Sequence, residues 1–283
     1  MLWQCRHHSF DFSDGRTRIM GVLNVTPDSF SDGGRFLEPR AAVDHAIAMA
    51  EAGAEIVDVG GESSRPGAAA VPQEEELRRV MPVLRECARE LGARVALSID
   101  TTKAEVARQA LDAGAVIVND ISAGRFEPAL LSVAARTGAG FVLMHMQGTP
   151  RTMQASPRYA DVLGDVTAFL RERWVAARTA GIADEQVVID PGIGFGKTLE
   201  HNLELLARLD EFAALGRPVL VGTSRKSFIG QLLDRDVDHR LAGTLASVAW
   251  CAAHGANIVR VHDVQESAQV LRVIDELRRK ATT

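Results

Sequence analysis

The chain has 283 residues, 46% hydrophobic and 24% charged, with a formal net charge of −5. That is enough apolar material for one large core, at a length α/β barrels reach as a single unit. The negative sum and interspersed signs argue against nucleic acid or a membrane surface as the main partner. Three widely spaced cysteines, without C-x-x-C pairing, exclude a disulfide framework and a cysteine-built zinc site.

The first residues, MLWQCRHHSF, contain no apolar run ending at a small-residue cleavage site, and no stretch approaches the roughly 18 apolar residues that span a bilayer. The expected location is therefore the cytoplasm. Asp14-Gly15 predicts a short N-terminal hairpin covering the bottom of the domain. From Arg18 onward, short β-branched runs alternate with segments of helical spacing. Strands are expected at residues 18–25, 54–59, 94–100, 115–120, 140–145, 187–190, 218–223 and 257–262. Apolar stripes at Leu199, Leu203 and Leu206, at Leu241, Leu245 and Val248, and at Val270, Ile274 and Leu277 give three helices a face to lay on a sheet. Four helix-to-strand joints read Gly-Ala, at residues 53–54, 114–115, 138–139 and 255–256, where glycine can take the left-handed conformation that ends a helix. Eight evenly spaced parallel strands favour closure into a (β/α)8 TIM barrel over a doubly wound open sheet. One domain is expected over residues 1–283, with its core at about 18–280.

In such barrels the reactive side chains stand at the C-terminal ends of strands and in the loops that follow. Those positions hold Asn24, the run Glu62 to Arg65, Asp100, Asn119 with Asp120, His145, Asp190, the run Ser224 to Lys226, Arg260 and His262. A strand-end Asp or Asn often does no more than cap a helix. Polar groups at all eight strand ends instead predict a shared site. The loop after the sixth strand, Asp190 to Thr198, ends Gly-Lys-Thr but fails the Walker pattern, because Pro191 occupies the position of its first glycine. It also fails the dinucleotide fingerprint at Lys197. What remains is a backbone-exposing loop that puts Phe195 beside the site and leaves Asp190 facing inward.

Arg65, Lys226 and Arg260, with His262 close by, suit a diphosphate; the plainer alternative is surface ion pairing with Glu62 and Asp263. Asp100, Asn119 and Asp190 suit the edge of a fused pyrimidine ring, where a carboxylate accepts two N–H bonds and an amide offers a donor and an acceptor. Metal ligation is the rival for this set. Without His or Cys clustering, the ion it would hold is Mg²⁺ shared with substrate phosphates. The long polar loops after the first and second strands are candidate lids.

Residues 20–34 (MGVLNVTPDSFSDGG) and 60–67 (GGESSRPG) resemble the two signatures of the dihydropteroate synthase family. Further matches are 98–101 (SIDT), 119–122 (NDIS), 190–197 (DPGIGFGK), 224–227 (SRKS) and 260–263 (RVHD). The resemblance covers nearly the whole chain after residue 17. It implies a Mg²⁺-assisted transferase that joins 6-hydroxymethyl-7,8-dihydropterin diphosphate to p-aminobenzoate, releasing diphosphate and forming 7,8-dihydropteroate for folate synthesis. By resemblance, Asp190 and Asn119 hold the pyrimidine edge, Asp100 the far ring nitrogen and Lys226 the carbonyl side, with Arg260 stacked on the ring. Ser64, Arg65, Arg260 and His262 contact the diphosphate, and Asn24 binds the metal. Phe30, Ser64, Pro66, Phe195 and Ser224 surround the amine, while Asp32 orders the closed loops. Asp100, Lys226 and Arg65 are the expected catalytic residues. Ser64 stands where the family usually has Thr, which removes one methyl from the amine pocket, worth about 1 kcal/mol. The resemblance also implies a homodimer and sulfonamide targeting. Rival readings are a corrinoid-dependent methyltransferase sharing the ring-binding acids, a Schiff-base aldolase using Lys226, and a pterin-binding paralogue without catalysis.

Overall fold

The structure is a computed structural model and describes residues 1–26, 38–65 and 67–281. Strands β1 (Leu2–Cys5) and β2 (His8–Asp11) form an antiparallel hairpin with Trp3 opposite Phe10. Its turn is at Arg6-His7, where Arg6 takes a φ of 56°, and not at Asp14-Gly15. The alternation of buried and polar residues decides this, because only that register puts Trp3, Cys5 and Phe10 in one buried cluster. Asp14-Gly15 instead makes a separate bend leading into the barrel, with the Gly15 N–H donating to the Phe12 carbonyl over 3.2 Å.

Eight parallel strands follow: β3 (Arg18–Asn24), β4 (Ile56–Gly60), β5 (Ala96–Asp100), β6 (Ile117–Asp120), β7 (Gly140–Met144), β8 (Val187–Asp190), β9 (Leu220–Val221) and β10 (Ile258–Val261). Their order is β8-β7-β6-β5-β4-β3-β10-β9, and a bridge between Ile189 and Val219 joins the two ends of the sheet into a barrel. All eight lie where the apolar runs place them. β9 is much shorter than expected because Pro218 has no N–H to give the ladder, and the Val219 N–H bonds to the Asn257 side chain, 2.8 Å away.

Helices α1 (Glu38–Glu51), α2 (Gln73–Leu91), α3 (Ala104–Asp112), α4 (Ala129–Thr137), α5 (Val162–Thr179) and α6 (Leu199–Ala207) each follow one strand. α7 (Ser227–Leu233) and α8 (Leu241–Ala253) both follow β9, and α9 (Val264–Ala281) follows β10. The Gly-Ala joints behave as expected: Gly53, Gly114, Gly138 and Gly255 have φ values of 110°, 115°, 69° and 94°. The three apolar stripes are partly corrected. Leu203, Leu241 and Leu277 face outward, and the buried faces are instead Asn202, Leu205 and Leu206 on α6, Thr244, Val248 and Cys251 on α8, and Val264, Ser267 and Leu271 on α9. Neighbouring helical faces are only 100° apart, so a small polar residue such as Ser267 can lie against the sheet while a leucine points away. No helix among the described residues is long and apolar enough to cross a membrane.

Period-two alternation along the strands divides the barrel wall. One set of residues, including Val57, Val59, Ile99, Val118 and Ile189, packs outward against the helices. The other set lines the interior. Its lower part is an apolar cluster of Met20, Ile56, Ile117, Val188 and Ile258 with their neighbours, stoppered by Trp3 and Phe10 of the hairpin. Above it the inward positions turn polar, and there the site begins.

Candidate active site

The strand register sets Asn24 beside Gly60, Gly60 beside Asp100, and Asp100 beside Asn119. Two residues below Gly60 on the same face lies Asp58, which is completely buried. Its Oδ2 accepts from Arg260 Nε at 2.7 Å and from Asn119 Nδ2 at 2.8 Å. Arg260 also donates through Nη2 to Asp100 Oδ2 at 2.7 Å. The guanidinium therefore bridges two carboxylates on the pocket floor. Asp58 is a residue that attention to strand ends overlooked. A lone carboxylate between Val57 and Val59 in a buried strand is nevertheless a signal, since Asp is rarely buried without a partner.

Burial pushes the Asp100 carboxyl up to about 7, against the downward pull of Arg260. Asp190, at the end of β8, is buried and accepts the Gly192 N–H on Oδ1 at 2.7 Å. Burial raises it too, with Lys226 opposing. The Lys226 ammonium donates to the Ile193 carbonyl and lies 4.6 Å from the centre of the Phe195 ring, a cation–π contact. Burial lowers it to about 8, while Asp190 holds it up. The structure thus brings Asp100, Asn119, Asp190, Lys226, Arg260 and Phe195 together, with Asp58 beneath them.

Ser224 ties the last two strand ends together, its Oγ lying 3.2 Å from the His262 N–H and 3.0 Å from the ring Nδ1. Burial first, and Arg260 second, lower His262 to about 4, so near neutral pH it is a hydrogen-bonding imidazole and not a fourth cation. The plainer ion-pair reading of the rim does not hold either. Glu62 pairs with Lys103 and Asp263 with Arg225, leaving neither to Arg65, Lys226 or Arg260. Arg65 is exposed on the loop after β4, whereas Ser64 on the same loop lines a cavity of about 330 Å³ with Asp100, Thr101 and Ile121. Asn24 stands at another cavity, of about 490 Å³, shared with His45, Arg225 and His262. Phe30, Asp32 and Pro66 lie outside the described residues.

Asp120 and His145, also at strand ends, take no part in the cluster. Asp120 accepts from the Ser122 N–H at 2.7 Å and the Ser122 hydroxyl at 3.0 Å, capping its own turn. His145 lies one residue beyond inward-facing Met144, so its ring turns toward Phe169 and Tyr159. The buried Lys197 ammonium meets His145 Nδ1 at 2.9 Å, the Gly192 carbonyl at 2.9 Å and the Phe195 carbonyl at 3.0 Å. Its polar contacts are spent on two carbonyls of its own loop and on His145 beyond β7, which is the physical reason that this Gly-Lys-Thr is no phosphate loop. The same packing demands glycine at 192: its φ is 68°, and a Cβ there would lie 1.9 Å from the His145 carbonyl oxygen.

The family model described as "Pterin binding enzyme" matches residues 20–262. A dihydropteroate synthase of Synechocystis sp. is 51% identical over 265 residues, covering 93% of this chain and 91% of that protein. Two solved structures superpose closely. The Yersinia pestis dihydropteroate synthase in a sulfonamide drug complex gives a TM-score of 0.92 at 45% identity, covering 99% of this chain and 100% of that one. The Xanthomonas albilineans dihydropteroate synthase with 4-aminobenzoic acid gives 0.91 at 44% identity, covering 98% and 99%. With an acidic, cation-bridged pocket at the mouth of a (β/α)8 barrel, this chain belongs to the pterin-binding enzyme family and, within it, to the dihydropteroate synthases.

Proposed function

We propose that this transferase holds the pyrimidine edge of 6-hydroxymethyl-7,8-dihydropterin diphosphate on Asp190 and Asn119, its far ring nitrogen on Asp100 and its carbonyl side on Lys226, and then joins it to p-aminobenzoate. The observation that carries the reading is the Asp58–Arg260–Asp100 bridge next to the Asp190 and Lys226 pair, a fixed set of hydrogen-bonding charges on a closed floor. Arg260 lies against the ring, and Ser64, Arg65, Arg260 and His262 face the diphosphate. Phe195, Ser224 and Ser64 form the amine's surroundings. The Asn24 amide oxygen is a hard donor, and among the described residues no three His, Cys, Asp or Glu side chains form a metal cage. Asn24 would hold Mg²⁺, and the ion would supply positive charge to the departing diphosphate.

The arylamine is neutral at pH 7, so the difficult event is at the methylene carbon. Its bond to the diphosphate oxygen breaks first, the electron pair leaving with diphosphate toward Arg65 and Arg260. The dihydropterin ring spreads the positive charge left behind, and the Asp100 carboxylate stabilises it. The amine nitrogen then forms the C–N bond and loses its proton to water.

The direct test mixes the protein with Mg²⁺, the pterin diphosphate and p-aminobenzoate, and follows dihydropteroate and diphosphate. Both should form, and diphosphate should be released slowly even without the amine; no product in either arm rejects the reading. Repeated across pH, kcat/KM for the pterin diphosphate should rise through about 7 as Asp100 ionises and fall through about 8 as Lys226 loses its proton. Asp100→Asn should flatten the acid limb, and a profile flat across both values removes these two groups from the step.

The same reading includes a cytoplasmic homodimer and a sulfonamide-binding amine pocket. Supporting the dimer, Leu232 and Leu233 of α7, Leu241 and Trp250 of α8, and Val273 and Leu277 of α9 are all exposed on packed neighbouring helices. Sedimentation should give twice the chain mass, and Trp250→Glu with Leu277→Glu should halve it. An unchanged mass would place the dimer face elsewhere.

A further inference from the structure

The loop after β4, residues 61–71, is held at its mouth. Arg79 Nη1 donates to the Gly61 carbonyl at 2.9 Å, and Glu62 Oε1 accepts the Val71 N–H at 3.2 Å, so the Glu62 side chain spans the loop from first turn to last. Glu62 Oε2 takes a second bond from the Lys103 ammonium. That ammonium also donates to Glu76 in the first turn of α2, and Glu76 is completely buried. Lys103 itself is the residue before α3, three positions beyond Asp100. One charge therefore joins three segments: the loop, α2 and the end of β5.

The three partners are unequal. A fully buried carboxylate is strongly disfavoured without its counter-ion, so Glu76 fixes where the ammonium sits. Glu62 is 27% exposed and belongs to the loop; it is the member being held. Direction follows from this asymmetry: Glu76 sets Lys103, Lys103 sets Glu62, and Glu62 sets the loop carrying Ser64 and Arg65.

We infer that Lys103 is a positioning residue for the amine substrate, acting as a fixed peg between buried Glu76 and loop-borne Glu62. The inference rests on the function proposed above and adds to it a residue that acts through Glu62 and lines the same cavity as Ser64. Glu62→Ala leaves the Lys103–Glu76 pair in place. It should raise KM for p-aminobenzoate about tenfold, the scale of a lost charge-assisted hydrogen bond. kcat should fall alongside, because the same loop carries Arg65, while the melting temperature and the affinity for a pterin lacking the diphosphate should stay near wild type. Hydrogen exchange at the Val71 amide should quicken in the same variant. Lys103→Met should show the same KM rise with a lowered melting temperature. Adding Glu76→Gln to it should restore the melting temperature but not KM.

An unaltered amine KM in Glu62→Ala overturns the inference, as does an equal loss of pterin affinity. If the wild-type protein forms no dihydropteroate, the proposed function fails on that result alone. Val71 exchange then still decides whether the peg holds the loop, and unchanged exchange in Glu62→Ala rejects it.

Discussion

Replacing Lys226 with methionine should lower kcat/KM for the pterin diphosphate by roughly 10- to 10²-fold, the scale of losing a hydrogen bond from a charged donor to the carbonyl side of the ring. The fold should survive. Lys226 binds the Ile193 carbonyl and faces Asp190, a carboxylate that burial already inclines toward its protonated form. When the ammonium is lost, Asp190 can take up a proton in place of remaining a bare buried charge. Measuring kcat/KM beside thermal melting separates the two effects. A wild-type kcat/KM in Lys226→Met would remove this residue from the chemistry, and a collapsed melting transition would make its role structural.

Asp58 should behave in the opposite way. Asp58→Ala removes the acceptor shared by Arg260 and Asn119 and leaves a guanidinium on the floor with only Asp100 opposite. Breaking a buried pair by deleting one partner costs about 3–5 kcal/mol. The lower end applies here, because Arg260 keeps one carboxylate. A loss of about 3 kcal/mol is a large part of the 5–15 kcal/mol that holds a domain together. Turnover should fall with it, since both Arg260 and Asn119 lose their orientation. Denaturant unfolding of Asp58→Ala and of the near-isosteric Asp58→Asn checks this. Alanine should shift the midpoint strongly, and asparagine, which keeps the shape, less so. Equal, small shifts in both would show that the bridge does not support the floor.

Much of this was legible because parallel barrels write their strands as short, nearly continuous apolar runs, and because reactive groups gather at one end of them. Asn24, Asp100, Asn119 and Asp190 could be picked out by that rule alone. Asp58 could not, since it sits inside a strand where the rule does not look. The hairpin turn was misplaced because Asp-Gly is a strong local signal, while the actual turn is chosen by the burial of Trp3 and Phe10 against residues spread along the chain from Met20 to Ile258. His262 looked cationic from composition; its burial in the folded chain, and after that the Arg260 charge beside it, lowers it to about 4. The Glu62–Lys103–Glu76 triad is likewise invisible in one dimension, its members being separated by 14 to 41 positions.

The hairpin stopper has a consequence for traffic. Trp3 and Phe10, with the apolar cluster above them, fill the lower barrel, so nothing reaches the polar floor from below. A cup with one opening imposes an order on its visitors: the molecule that rests deepest arrives before the one above it and departs after it. If the pterin ring rests on Asp58's neighbours at the bottom, as proposed above, it is the first substrate in, and the half of the product built from it is the last part out.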